Sequence, residues 1–170
     1  MIVSVNEALR RVGEHFLFSW QGELEPQTYA GKTVVFHGPA SLSCDYVYDG
    51  KTFRVDAEAS ASYETACARC GEKMIETLRF SFSERFVRSV FKTEEDELYP
   101  YEGERLDLKD AFFDNLYLEM PITSICKPTC KGLCPVCGAN LNHVQCNCSD
   151  QKIDARFSAL ETLLNDHKEV

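Results

Sequence analysis

Nine cysteines, eight of them in closely spaced pairs, are the residues of this 170-residue chain best suited to chemistry. Six lie in the stretch CKPTCKGLCPVCGANLNHVQCNC, and two belong to an earlier CARCG motif. Cys-x-x-Cys spacing is typical of metal ligands. The glycine that follows each such pair can adopt the positive φ that turns backbone N–H groups toward a bound sulfur. The eight thiolates match two tetrahedral zinc sites of four cysteines each.

The spacing also predicts how the eight ligands divide. One set is local, because a C-x2-C pair, an eight-residue loop and a C-x-C pair can close around one ion without help from the rest of the chain. The other set joins two distant stretches. The predicted sites are Cys67, Cys70, Cys126 and Cys130 for the first, and Cys134, Cys137, Cys146 and Cys148 for the second. Three alternatives stay open: Cys130 and Cys134 could exchange roles, His143 could replace Cys148, and the chain could bind one structural zinc ion rather than two.

Other chemistries of sulfur fit the pattern less well. Four thiolates also suit an iron–sulfur cluster, but CxxCG motifs in closed sets favour structural zinc. A catalytic zinc needs an open coordination position and a general base, and no H-E-x-x-H or deaminase motif is present. A redox Cys-x-x-Cys should open a helix of a βαβ unit, whereas Cys67 and Cys70 interrupt strand patterns. The ninth cysteine, Cys44, lies on an apolar strand face and is predicted to be a small buried hydrophobe.

Charge and hydropathy limit the classes of function. The formal net charge is −9 and the isoelectric point about 4.9, which disfavours non-specific binding of nucleic acid. Charged residues interrupt the first 20 residues, and no apolar run is long enough to span a membrane, so the sequence predicts a cytosolic protein without a membrane partner. Thiols stay reduced in the cytosol, so metal binding is favoured over a disulfide framework.

The elements that must position these cysteines are mainly strands. Aromatic residues predict a strand over His15–Leu24, and residues 33–87 alternate with a period of two. Asp49-Gly50 indicates a hairpin turn. The CARCG motif then falls at the tip of a second, long hairpin. The predicted fold class is α+β: an antiparallel sheet or a partly closed barrel, two or three helices, and a C-terminal cysteine-rich zinc module.

Three helices are indicated. Asn6 is the predicted N-cap of a short first helix, and Asp107 that of a second helix, which Pro121 ends. Asp154 is expected to cap a last, amphipathic helix. The domain boundaries follow: a β-rich domain over 1–125 with the hairpin tip and one core helix, and a zinc module with the last helix over 126–170, packed on the first part.

An acidic segment separates the strands from the second helix. The stretch from Lys92 to Arg105 is too charged to bury and is predicted to be a solvated loop. The functional alternative is an acidic contact for a basic partner. Its leading residues would be Glu94, Glu95, Asp96 and Glu97.

These motifs, taken in order, resemble those of the YceD family, which is named for accumulation of the large ribosomal subunit RNA. The resemblance rests on CARCG, the acidic stretch after Phe86, the helix start Leu106-Asp107-Leu108, the helix exit at Pro121, and CKGLCPVCGANLN with Cys146 and Cys148. It implies a cytosolic, non-enzymatic factor needed for normal levels of 23S rRNA. The zinc assignment depends on cysteine spacing alone.

Three function classes follow. The first is a zinc-stabilised binding protein whose acidic surface holds a basic ribosomal protein, or a precursor of the large subunit, with no small-molecule substrate. The second is direct RNA recognition by the cysteine module through Lys127 and Lys131, although residues 126–148 contain no Phe, Tyr or Trp for base stacking. The third, an enzyme, is disfavoured because the four histidines are scattered and no catalytic carboxylate cluster stands out.

Overall fold

Alternation of apolar and polar residues produces a twisted sheet in the computed structural model of the chain, which describes residues 1–92 and 98–148. Its strand order is β2-β5-β6-β7-β8, and every neighbouring pair is antiparallel except β7 and β8, which are parallel. The strands are β2 (His15–Glu23), β5 (Pro39–Tyr48), β6 (Thr52–Ala66), β7 (Lys73–Arg88) and β8 (Tyr99–Tyr101).

The sheet is open, with β2 and β8 as its edges. The partly closed barrel is therefore wrong, because closure requires the first and last strands to pair. The antiparallel sheet predicted from the alternation is confirmed. Two small ribbons accompany it: β1 (Ile2–Ser4) with β9 (Arg105–Asp107), and β3 (Gln27–Tyr29) with β4 (Lys32–Val34).

One face of the sheet carries the hydrophobic core. Strand β6 buries every second residue from Phe53 to Tyr63, as predicted. Helix α2 (Lys109–Glu119) packs on β7 and buries the side chains of Ala111, Phe112, Phe113 and Leu116. The first helix, α1 (Asn6–Arg10), buries Ala8. Neither helix in the described residues is long and apolar enough to cross a membrane.

Both predicted helix N-caps were wrong by one residue. Asn6 and Asp107 are not the N-caps, which are Val5 and Leu108, and neither helix has a side-chain cap hydrogen bond. Asp107 instead ends β9, and its carboxylate accepts a hydrogen bond from the Lys109 N–H at 3.0 Å. The first hairpin turns around Gly50, with the Asp49 carboxylate accepting the Thr52 N–H at 2.6 Å.

The predicted loop from Lys92 to Arg105 contains structure. Strand β8 and the start of β9 lie in it, because Tyr101 and Leu106 are buried in the core despite their charged neighbours. A short 3₁₀ helix, Ser89–Phe91, precedes it. Residues 93–97, and with them the predicted partner-binding acidic residues, lie outside the described residues, as does the helix predicted after Asp154.

The chain divides into two units. The first comprises Met1–Cys67 and Glu72–Cys126, and the second comprises Ala68–Gly71 and the chain from Lys127 onward. The first unit ends at Cys126, and the domain boundary between residues 125 and 126 stays a prediction. The four residues at the hairpin tip belong to the second unit rather than to the β-rich part.

Candidate metal centres

The hairpin between β6 and β7 presents the first pair of thiols. The tip closes with a hydrogen bond from the Cys67 N–H to the Glu72 carbonyl at 2.9 Å, and Gly71 has a φ of +72°. Positive φ is costly for residues with a Cβ, which is why glycine follows the pair. Cys67 and Cys70 are both buried.

Within the first unit, a polar cluster fixes the segment that leads to Cys126. Ser124 forms a parallel bridge with Cys67, and its hydroxyl donates to the Glu76 carboxylate. The Tyr63 hydroxyl donates to the same carboxylate at 3.2 Å. Burial, and then the nearby Glu76, raise the pKa of Tyr63 to about 12, so it stays a donor at neutral pH. This cluster brings the end of the segment beside Cys67, the residue that follows strand β6.

Within the second unit, hydrogen bonds order the chain around Cys130. The Cys130 N–H donates to the Lys127 carbonyl at 3.0 Å, and the Arg69 guanidinium donates to the Cys130 carbonyl at 3.2 Å. Asn142 acts on the sulfur itself, because its side-chain N–H group lies 3.3 Å from Cys130 Sγ. The side-chain oxygen Oδ1 of Asn142 accepts a hydrogen bond from the Lys131 N–H at 3.0 Å, which holds the side-chain amide in this orientation.

A tight turn within the second unit carries the other Cys-x-x-Cys pair. The Gly138 N–H donates to the Cys134 carbonyl, and the Cys134 N–H donates to the Ala139 carbonyl, each at 2.8 Å. Gly138 has a φ of +72°, as predicted for the glycine after the pair. A bridge between Leu133 and Asn140 continues this ribbon. The turn therefore holds Cys134 and Cys137 side by side.

The eight paired cysteines form two groups of four. In each group the sulfur atoms all lie within 4.8 Å of one another. Metal–sulfur bonds of about 2.3 Å in a tetrahedron place the sulfurs about 3.8 Å apart, so small side-chain adjustments would accommodate an ion. The groups are Cys67, Cys70, Cys126 and Cys130, and Cys134, Cys137, Cys146 and Cys148.

The electrostatics of the second group fit a divalent cation. Backbone N–H groups of Cys137 and Val136 lower the pKa of Cys134 to about 6, so one thiolate is stable at neutral pH. Its neighbours respond in the opposite sense: a hydrogen bond to Cys137, followed by burial, raises the pKa of Cys148 to about 12. Four adjacent thiolates repel one another, and a bound cation offsets that repulsion. The donor set is therefore suited to zinc.

The two groups of cysteines contain the same residues as the two sites predicted from their spacing. That these groups bind metal stays a prediction. His143 belongs to neither group, and Cys130 and Cys134 fall in different groups as the favoured partition has them. Cys44 is buried in the sheet core, which confirms its interpretation as a small hydrophobe, and burial raises the pKa of its thiol to about 11.

Sequence reasoning missed two residues that position the thiols, Glu76 and Asn142. Glu76 could have been noticed, because it occupies a position between Met74 and Leu78 on the apolar face of β7, where a carboxylate needs a partner. Asn142 had no comparable signal, since asparagine is common in turns.

Replacing Asn142 with alanine should weaken metal binding at the first group. The variant loses the N–H donor to Cys130 Sγ, and removal of such an outer-sphere partner typically costs about 10–100-fold in metal affinity. Competition with a chromophoric chelator would measure this change. Asn147→Ala is the matched control, because Asn147 is exposed in the same loop. Equal affinities for the two variants would contradict the assignment.

Comparison with known proteins places the chain in a family. The family model described as "Large ribosomal RNA subunit accumulation protein YceD" matches residues 55–164, which include all eight paired cysteines. The chain is 27% identical over 155 residues to the protein named "Large ribosomal RNA subunit accumulation protein YCED homolog 1, chloroplastic" of Arabidopsis thaliana, covering 74% of this chain and 48% of the relative.

Bacterial relatives are also similar. Uncharacterized proteins of Mycobacterium tuberculosis and Mycobacterium bovis are 33% identical over 102 residues, which is 58% of this chain and 49% of each relative. The chain thus spans about half the length of the curated relatives it matches. No solved structure matches it. On the match over residues 55–164, the chain belongs to the YceD family of large ribosomal RNA subunit accumulation proteins.

Proposed function

We propose that this protein is a zinc-stabilised, non-enzymatic factor that supports accumulation of the large ribosomal RNA by binding a basic ribosomal protein during subunit assembly. One observation carries the proposal: the family match spans both four-cysteine groups. Closed sets of four thiolates are typical of structural zinc, whereas catalytic zinc keeps a position for water or substrate. The metal would therefore shape a binding surface rather than perform chemistry.

The charge of the chain supports a basic protein partner. A formal net charge of −9 attracts cationic segments and repels RNA phosphates. An acidic factor can hold a basic ribosomal protein in solution until the protein is transferred to rRNA, which competes for the same cationic side chains. Glu94, Glu95, Asp96 and Glu97 form the densest acidic run and are the first residues to test.

Depletion of the protein in its source organism should lower the ratio of large-subunit to small-subunit rRNA. Wild-type protein should restore the ratio, whereas a variant with residues 94–97 changed to lysine should fail and should lose capture of basic ribosomal proteins from lysate. A variant with Glu7, Glu14, Glu25 and Glu119 changed to lysine controls for net charge, since it makes the same number of charge reversals at exposed side chains outside the acidic run. Full rescue by the 94–97 variant would exclude this contact.

Direct RNA binding is the second candidate, because the charge is unevenly distributed. The described residues of the second unit include Arg69, Lys127 and Lys131 and contain no aspartate or glutamate. Both lysines are exposed. RNA contact predicts that affinity falls steeply as salt rises and that the slope decreases in a Lys127→Ala, Lys131→Ala variant. A filter-binding titration against a large-subunit rRNA fragment distinguishes this candidate from the protein-binding one.

A further inference from the structure

Strand β2 is a long sheet edge without the protections that edge strands usually carry. Its nine residues pair with β5 in continuous register from His15 to Glu23, with no bulge, and no described residue pairs along its other side. The opposite edge, β8, has only three residues and contains Pro100. Short strands, prolines, bulges and charges prevent edge-to-edge association, and the only formally charged side chain of β2 is Glu23 at its end. Its outward side chain Leu17 is 84% exposed.

The sequence of β2 complements itself in one antiparallel register. With Ser19 opposite Ser19 of a second copy, His15 of each copy faces Glu23 of the other, so the one carboxylate of the strand meets an imidazole, which also contacts Asp45 at 2.8 Å, and no like charges are opposed. In the same register Phe18 faces Trp20, and the bulky Phe16 faces Gly22. These inward-facing aromatic side chains are only partly buried in the single chain. Cross-strand aromatic pairs stabilise such a ladder.

We propose that β2 pairs antiparallel with β2 of a second copy of this chain, about a twofold axis at Ser19, to give a homodimer with a continuous ten-stranded sheet. The twofold axis makes the contact isologous, so it closes and does not propagate into fibres. The pairing satisfies the outward backbone N–H and C=O groups of β2 and covers the edges of Phe16, Phe18 and Trp20. One strand per copy buries less area than a standard interface, so the dimer should form at micromolar rather than nanomolar concentration.

Sedimentation of the 170-residue chain, purified with zinc present, tests the dimer. With rising concentration, the mass should approach twice the 19.3 kDa of the monomer. In Ser19→Lys two ammonium groups meet at the axis, which should weaken association by at least about tenfold. Ser81→Lys is the matched control, because Ser81 is exposed on the same sheet face but lies on the interior strand β7. Thermal unfolding would verify that both variants are folded.

Hydrogen exchange locates the contact. Amides of residues 15–23 should gain protection as the concentration rises, while those of 99–101 should not. A protein that stays monomeric at all concentrations would overturn the proposal. So would a dimer that Ser19→Lys leaves intact, or β2 protection that is independent of concentration, which would indicate that another segment of the same chain covers this edge.

Discussion

Removal of the bound metal is expected to unfold the cysteine-rich part of the chain and to lower its overall free energy of unfolding by several kcal/mol. Structural zinc contributes about 10–16 kcal/mol of apparent binding energy in zinc-finger peptides, which matches or exceeds the total stability of about 5–15 kcal/mol of a typical domain. The described residues 127–148 form no helix or named strand. Once the metal is removed, only the hydrogen bonds of turns would hold this segment together. Circular dichroism and urea unfolding, with and without chelator, measure the loss.

Variants with single cysteine substitutions test which group of cysteines binds each metal ion. Elemental analysis of the wild-type protein should give two zinc ions per chain, and Cys70→Ser and Cys134→Ser should each give one, because the two variants remove ligands from different groups. Cys44→Ala is the control and should retain two, since Cys44 lies in the sheet core. Equal zinc content in all four proteins, or a chelated protein that unfolds like the untreated one, would rule out structural metal. Iron in place of zinc would support the cluster alternative.

Replacement of Phe112 by alanine is expected to destabilise the first unit by about 3–5 kcal/mol, the usual cost of removing a fully buried phenylalanine. The Phe112 ring is completely buried between α2 and β7, with centroid distances of 5.4 Å to Phe80 and 5.5 Å to Phe113. The loss combines the transfer of the ring to water with the cavity that the rigid sheet leaves behind. The midpoint of urea unfolding should fall accordingly.

The neighbouring Leu118 is the control for this substitution. It lies on the same helix but is 78% exposed, so Leu118→Ala should change stability by no more than about 0.5 kcal/mol. Metal content should be unchanged in both variants when they are folded, since neither residue belongs to a cysteine group. A loss below about 1 kcal/mol for Phe112→Ala would contradict the packing of α2 on the sheet.

Local periodicity determined the long strands, because a two-residue repeat depends only on neighbours along the chain. Residues 53–63 alternate between buried and exposed as their sequence predicts, and the CARCG motif falls at the hairpin tip for the same reason. Helix α2 was also predictable from the spacing of its apolar residues and from Pro121. The first residue of α2 was not predictable. Leu106 and Leu108 are both fully buried, and Asp107 between them pairs with Ile2 as the last residue of β9.

The short elements depended on partners far away in sequence. Tyr99-Pro100-Tyr101 carries no strand signal and becomes β8 only because Tyr101 enters the core and β7 offers a free edge. The ribbon of β3 and β4 turns at Ala30 and Gly31, which both have positive φ values. The sequence contains no strong turn motif there that would have predicted them.

For this protein, the types and spacing of the cysteines were sufficient to indicate two four-sulfur groups, because each Cys-x-x-Cys turn is a local structure. Only tertiary structure decided what surrounds the sulfurs. The contacts of Glu76 with Tyr63 and Ser124, and that of the Asn142 amide with Cys130, join residues up to 48 positions apart, and no local pattern encodes such contacts. Likewise, the residues of β2 predicted a strand, but its position at an open edge depends on the spatial order of the strands in the sheet.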